Sequence, residues 1–256
     1  MNDIKIAFAT EVTYPNYCKR LQQSALKYFI DYQLRQYNIP YYISTNMPNE
    51  FDTIKDLDFV KVYDVDSLRD TEESYKYEIL PEDPKGLYPS KYPWNMRRYI
   101  IQKAAQDGYN YVIYIDADNV FRPMSSIDLY DVLINNYEPD IVATNQTIFK
   151  YSNKIPDDVF NYHDQYIKHF NLSFDTDQYN TIDGPVQVFM GKTNEDIIRL
   201  IKKWTELTIF GYSKPLGVGY GNNKHGNLSF AIPMSNFTLK WKDFPFYPHH
   251  VLSDRY

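Results

Sequence analysis

The chain has 256 residues, 43% of them hydrophobic, 17% aromatic and 23% charged, with a mean hydropathy of −0.55; that suits the core of one large domain and is too polar for a membrane protein. No stretch reaches the roughly 18 uncharged apolar residues of a spanning helix, and the first twenty residues lack a basic-then-apolar leader pattern, so the chain is expected to start at Met1. Its 27 basic and 33 acidic side chains leave a net charge of −6, which disfavours nucleic acid and anionic lipid as main partners.

Residues 4–12 (IKIAFATEV) form a short apolar, partly β-branched run, the pattern of a buried strand. From Asn16 to Gln36 apolar residues recur at three- and four-residue steps, which predicts an amphipathic helix. Strands are expected at 41–45 and 59–65, with a loop or short helical turn over 48–58 between them. Residues 66–93 hold Pro81, Pro84, Pro89 and Pro93 and read as an irregular excursion. Helical spacing resumes over 94–106 and ends at Gly108, where a left-handed cap is expected. Next come a buried strand at 111–115, a helix at 126–135, a strand at 141–144, a helix at 156–170, a strand at 186–190 and an amphipathic helix at 194–208. The last fifty residues, with five glycines at 211, 217, 219, 221 and 226, read as loop-rich. Strands separated by helices predict an α/β fold: a mixed, mostly parallel sheet with helices on both faces. Ligands of such a sheet gather beyond the carboxyl ends of its strands.

Cys18 is the single cysteine, so neither an internal disulfide nor a multi-thiolate zinc site can form, and a reducing, cytosolic compartment is expected. Asn-x-Ser/Thr triplets begin at Asn145, Asn171, Asn227 and Asn236, but they carry meaning only in a secreted chain. The 26 tyrosines supply many rings for stacking on a sugar or a base.

The run Tyr111-Val112-Ile113-Tyr114-Ile115 leads straight into Asp116-Ala117-Asp118. At a strand end the chain turns, and both carboxylates can address one cation directly or through water. Hard oxygen ligands suit Mg²⁺ or Mn²⁺, which complete their shells with water and substrate phosphates, so a polyphosphate substrate is implied. Two solvated aspartates ending a strand fit the same spacing.

With this motif the chain resembles the nucleotide-sugar-dependent glycosyltransferases of the GT-A fold, a single Rossmann-like domain with an Asp-x-Asp motif. Within that fold it is most similar to the glycogenin and lipopolysaccharide-galactosyltransferase type. The resemblance implies one domain over residues 1–256, with a nucleotide-binding part at about 1–120 and an acceptor-binding part at about 121–256. Carried over to Phe8-Ala9-Thr10-Glu11-Val12-Thr13-Tyr14, it implies that Ala9, Glu11 and Thr13 contact uracil or ribose and that Tyr14 stacks on the base. The family places an arginine on the helix before the metal strand; Arg97 and Arg98 are both candidates, and Arg98 is preferred. Ile182-Asp183-Gly184-Pro185-Val186 is similar to the family's Asn-Ala-Gly strand, which gives Asp183 the contact with the donor sugar. Near the C-terminus the family's metal-binding histidine and later diphosphate-gripping lysine correspond to His249, with His250 as a rival, and to Arg255. Asp116, Asp118 and His249 are thus the implied ligands of Mn²⁺ or Mg²⁺. The implied partners are a nucleoside-diphosphate sugar, with UDP as the expected nucleotide, and a glycan, glycoprotein or small hydroxyl acceptor.

One segment departs from the family. Where an acidic stretch serves the acceptor and reaction centre, this chain has Asn223-Lys224-His225-Gly226-Asn227. His225 and Asp183 remain as candidate catalytic bases, and retaining and inverting outcomes both stay open. Two other readings compete. The segment Ile115–Val120 also resembles the opening of the haloacid-dehalogenase-like phosphatases, with Asp116 as nucleophile and Asp118 as acid, although that family carries the motif on its first strand. A non-catalytic protein that binds nucleotide sugars or carbohydrates would account for the neutral segment around His225.

Overall fold

A computed structural model describes residues 3–13, 37–52, 54, 57–68, 97–117, 120–121, 129–144, 148–150, 168–171, 180–182, 186–213, 223–242, 244 and 246–247. In chain order the strands are β1 (Ile6–Val12), β2 (Tyr41–Thr45), β3 (Val60–Asp64), β4 (Tyr111–Ile115), β5 (Val120–Phe121), β6 (Ile141–Thr144), β7 (Ile148–Lys150), β8 (Asn180–Ile182), β9 (Val186–Met190), β10 (Thr238–Trp241) and β11 (Phe246–Tyr247). The helices are α1 (Arg97–Gln106), α2 (Leu129–Asn136), α3 (Asn194–Ser213) and α4 (Asn223–Met234), with 3-10 turns at Pro48–Phe51 and Val65–Leu68.

Seven strands form one sheet in the order β10-β6-β9-β4-β1-β2-β3. All pairings are parallel except those of β9, which runs against both β4 and β6. Two small antiparallel pairs, β11 with β5 and β7 with β8, lie outside it. The central strands β1, β2, β4, β6 and β9 are buried on both faces, which is why they read as near-continuous apolar runs. Their side chains alternate between two cores. Ile6, Phe8, Val12, Tyr111, Ile113, Ile115, Val186 and Val188 face the side that takes Leu133 of α2. Ala7, Ala9, Val112, Tyr114 and Phe189 face α1, α3 and α4, with Trp204 at the centre. The mixed, mostly parallel sheet with helices on both faces is therefore the architecture the sequence predicts.

Helix α1 ends as its glycine requires. Gly108 has φ +98°, its N–H donates to the Ala105 carbonyl (2.9 Å) and the Tyr109 N–H to the Ala104 carbonyl (3.3 Å), a left-handed cap that costs glycine no steric strain. At the amino ends of the strands, Asn110 ties three segments together. Its Oδ1 accepts from the Lys5 N–H (2.8 Å), its Nδ2 donates to the Lys192 carbonyl (3.3 Å), and its own carbonyl accepts from the Gly191 N–H (2.9 Å).

Two expectations need correction. The last fifty residues are not simply loop: they include α4 and the edge strand β10. The helix at 194–208 extends to Ser213. The helix expected at 16–36, and most of the irregular excursion at 66–93 and of the helix expected at 156–170, fall outside the described residues. Among the described residues no helix is long and apolar enough to cross a membrane.

Candidate functional site

Three strands converge at the carboxyl rim of β1 and β4. Ala9 of β1 stands beside Tyr114 of β4, and Tyr114 stands opposite Gln187 of β9. Because side chains alternate along a strand, Glu11 and Asp116, each two residues further on, lie on the same face, the one covered by α1 and α3. Ser44 of β2 is the register partner of Glu11. Polar groups thus gather where the apolar runs stop.

Arg97, in α1, organises this cluster. Its side chain is 3% exposed, and Nη1 lies 3.8 Å from Oδ1 of Asp116, which is 22% exposed. The guanidinium stands 5.5 Å from the centre of the Tyr114 ring and 5.9 Å from that of Trp204, within the range where a ring face attracts a cation. Burial first, then the charges of Asp116 and Glu11, push the Tyr114 phenol well above its ordinary pKa, while Arg97 pulls the other way. Tyr114 therefore stays a neutral donor. Asp116 takes its place beside the buried Arg97 guanidinium.

Several buried polar atoms here have no hydrogen-bonding partner among the described residues: both amide atoms of Gln187, Nε of Arg97 and Oγ of Ser44. Each such atom costs about 1–3 kcal/mol if it stays dry.

The expected site residues are placed as follows. Ala9 is fully buried within the sheet, Thr13 is nearly so, and Glu11 is half-buried. Asp116 lies at the rim. Arg98 is fully buried, donates from Nε to Oγ1 of Thr205 (3.0 Å) and from Nη2 to the Tyr99 hydroxyl (3.1 Å), and so joins α1 to α3. Its neighbour Arg97 is the arginine that meets Asp116. His225 is the third residue of α4. Tyr14, Asp118, Asp183, His249, His250 and Arg255 lie outside the described residues. Sequence reasoning did not single out Tyr114, Ser44 or Gln187. Gln187 carried a signal, a polar residue inside the otherwise apolar run Val186–Met190.

Of the three implied metal ligands, Asp116 is the one described. A carboxylate is the hard donor that Mg²⁺ or Mn²⁺ prefers. Among the described residues no group of three His, Cys, Asp or Glu side chains is gathered closely enough to hold a metal ion.

No protein-family model matches the chain, and no curated protein matches its sequence. Solved structures do match in fold. The mannosyltransferase Ktr4p from S. cerevisiae superposes with a TM-score of 0.53 at 11% identity, over 97% of this chain and 71% of that one. The WbbM bifunctional glycosyltransferase gives a TM-score of 0.43 at 13% identity, over 94% of this chain, which spans about two fifths (39%) of that protein's length. The class defined is an α/β fold, a mixed and mostly parallel sheet shared with Ktr4p.

Proposed function

We propose that the chain is a metal-dependent glycosyltransferase that moves a sugar from a nucleoside-diphosphate donor, UDP-linked by resemblance, to a hydroxyl acceptor. The observation that carries this reading is Asp116, ion-paired with buried Arg97 at the carboxyl end of β4, where an α/β sheet binds its ligands. The fold shared with Ktr4p, a mannosyltransferase, supports it. The haloacid-dehalogenase-like reading is not favoured, since three strands precede β4 in the chain.

On this reading the Glu11–Tyr14 segment selects the nucleotide, residues 1–120 serve the donor, and residues 121–256 serve the acceptor. Asp116, Asp118 and His249 would hold Mn²⁺ or Mg²⁺, which supplies charge stabilisation for the departing diphosphate. Arg255 adds a second positive charge there. Arg97 keeps the Asp116 carboxylate in one orientation. Asp183 or His225 would take the acceptor proton if the reaction needs a base.

The test is release of nucleoside diphosphate from UDP-glucose, UDP-galactose and GDP-mannose, with and without MnCl₂, over a panel of hydroxyl acceptors. Metal-dependent release that disappears in Asp116→Ala, with the circular dichroism of the variant unchanged, is expected. Full turnover in that variant, or accumulation of a covalent aspartyl phosphate, overturns the proposal. Binding of nucleotide sugars without turnover on any acceptor would instead establish a binding protein.

A further inference from the structure

Trp241 ends the edge strand β10 with its side chain 57% exposed, the one large hydrophobic residue so exposed among the described residues. Its direction follows from its neighbours. Leu239, two residues before it, packs against the core under α1, α3 and α4. Lys240 and Lys242 instead reach Glu138 and the Asn136 carbonyl at the end of α2, on the other side of the sheet. Alternation along the strand therefore turns Trp241 to the face that carries Asp116. The ladder sets its level as well. Lys240, Ala143, Val188 and Ile113 stand in one row across β10, β6, β9 and β4, so Trp241 lies one row nearer the carboxyl rim, level with Tyr114. Three strand spacings of about 4.8 Å put roughly 14 Å between Trp241 and the strand that leads into Asp116. The edge is held in place: the Lys242 N–H donates to the Thr144 carbonyl (2.9 Å), and both flanking lysines are tied to Glu138.

From this we infer that Trp241 is a stacking platform for a sugar unit of the acceptor, remote from the hydroxyl that reacts, and that the acceptor is an oligosaccharide or polysaccharide; the inference rests on the glycosyltransferase reading. A pyranose presents a face of C–H groups ringed by hydroxyls, and an indole offers a flat apolar face with an N–H at its edge. A protein partner would call for a contiguous apolar patch, whereas Trp241 has Thr144 as its register partner and lysines on either side in the chain. An anionic lipid surface would call for unneutralised positive charge, and Glu138 pairs with both lysines. A single exposed ring among polar groups, on the rim and face of the candidate centre, fits a carbohydrate chain that crosses from the sheet edge towards Asp116. One monosaccharide does not span that distance and an oligosaccharide does.

Titration calorimetry of the full chain with maltohexaose, cellohexaose, mannohexaose and chitohexaose, beside the corresponding monosaccharides, tests this. At least one hexasaccharide should bind the wild type more tightly than its monosaccharide. Trp241→Ala should weaken that hexasaccharide about tenfold, the worth of one aromatic stacking contact, and Trp241→Phe, which keeps a ring, should lose less than about threefold. Both variants should melt with the wild type, because the position is exposed. A hexasaccharide affinity in Trp241→Ala within twofold of the wild type, or a wild type that binds no hexasaccharide, overturns the inference. So does the loss in Trp241→Ala of a dimer in sedimentation, or of binding to phosphatidylcholine–phosphatidylserine vesicles, with sugar affinity unchanged. Metal-dependent release of nucleoside diphosphate from UDP-glucose, UDP-galactose or GDP-mannose, measured on the same samples, separates the two failures. Its presence keeps the glycosyltransferase reading when the platform fails; its absence on every acceptor, the hexasaccharides included, overturns both.

Discussion

Replacing Arg97 with alanine should destabilise the protein by about 3 kcal/mol. Unit charges 3.8 Å apart attract with about 4 kcal/mol at an effective dielectric of about 20. Burial of the guanidinium and partial hydration of Asp116 offset much of that, leaving a net coupling of about 1–2 kcal/mol. The faces of Tyr114 and Trp204 add about 0.5–1 kcal/mol each. In a chain of this size about 3 kcal/mol lowers Tm by roughly 6–12 °C. Arg97→Lys keeps the charge but loses the flat guanidinium that lies against the two rings, so about half the loss is expected. Urea denaturation of Arg97→Ala, Asp116→Ala and the double variant closes a cycle whose coupling energy isolates the pair. A coupling below about 0.5 kcal/mol, the scatter of independent sites, would refute the claim that Arg97 holds Asp116.

Two further outcomes follow from the packing. Burial is the first cause raising the phenols of Tyr41, Tyr42, Tyr111 and Tyr114 above the ordinary tyrosine range. The unfolded chain loses these protons near pH 10 while the native state keeps them, so their contribution is whole below about pH 10 and drains away as pH rises towards the folded values. Tyrosinate absorbance from these four rings should therefore emerge together with loss of circular dichroism; reversible ionisation near pH 10 in a still-native protein would contradict it. At Gly191 an added Cβ would lie 2.4 Å from the Thr193 carbonyl oxygen, beside the bonds to Asn110 and the Tyr137 hydroxyl (2.6 Å). Gly191→Ala should cost about 1–3 kcal/mol in chemical denaturation, and an unchanged midpoint would show that the loop yields freely.

The central sheet was legible because its strands are buried on both faces. At 41–45, 111–115, 141–144 and 186–190 the apolar runs coincide with the observed strands, and β1 and β3 fall within the expected ranges. Helix α4 was hidden by its composition: Gly226, Asn227 and Pro233 lower local helix propensity, and packing against α3 and β8 supplies the stability instead. Strand β10 was obscured by Lys240 and by Trp241, which is 57% exposed at the sheet edge. In the site, Asp116 announced itself by following an apolar strand. The choice between Arg97 and Arg98 did not, because adjacent helical residues point about 100° apart and α1's rotation is set by Ile100, Ile101, Ala104 and Ala105 packing in the core beneath.

The reversed direction of β9 divides the molecule into a conserving end and a permissive one. Around Asn110 and Gly191 the chain is stitched so closely that insertions there would disrupt several segments at once. At the opposite end β4 and β9 are held together by the five-residue ladder between them. Segments joined beyond that ladder can change in length without moving the paired residues, so the scaffold stays constant while what it presents varies.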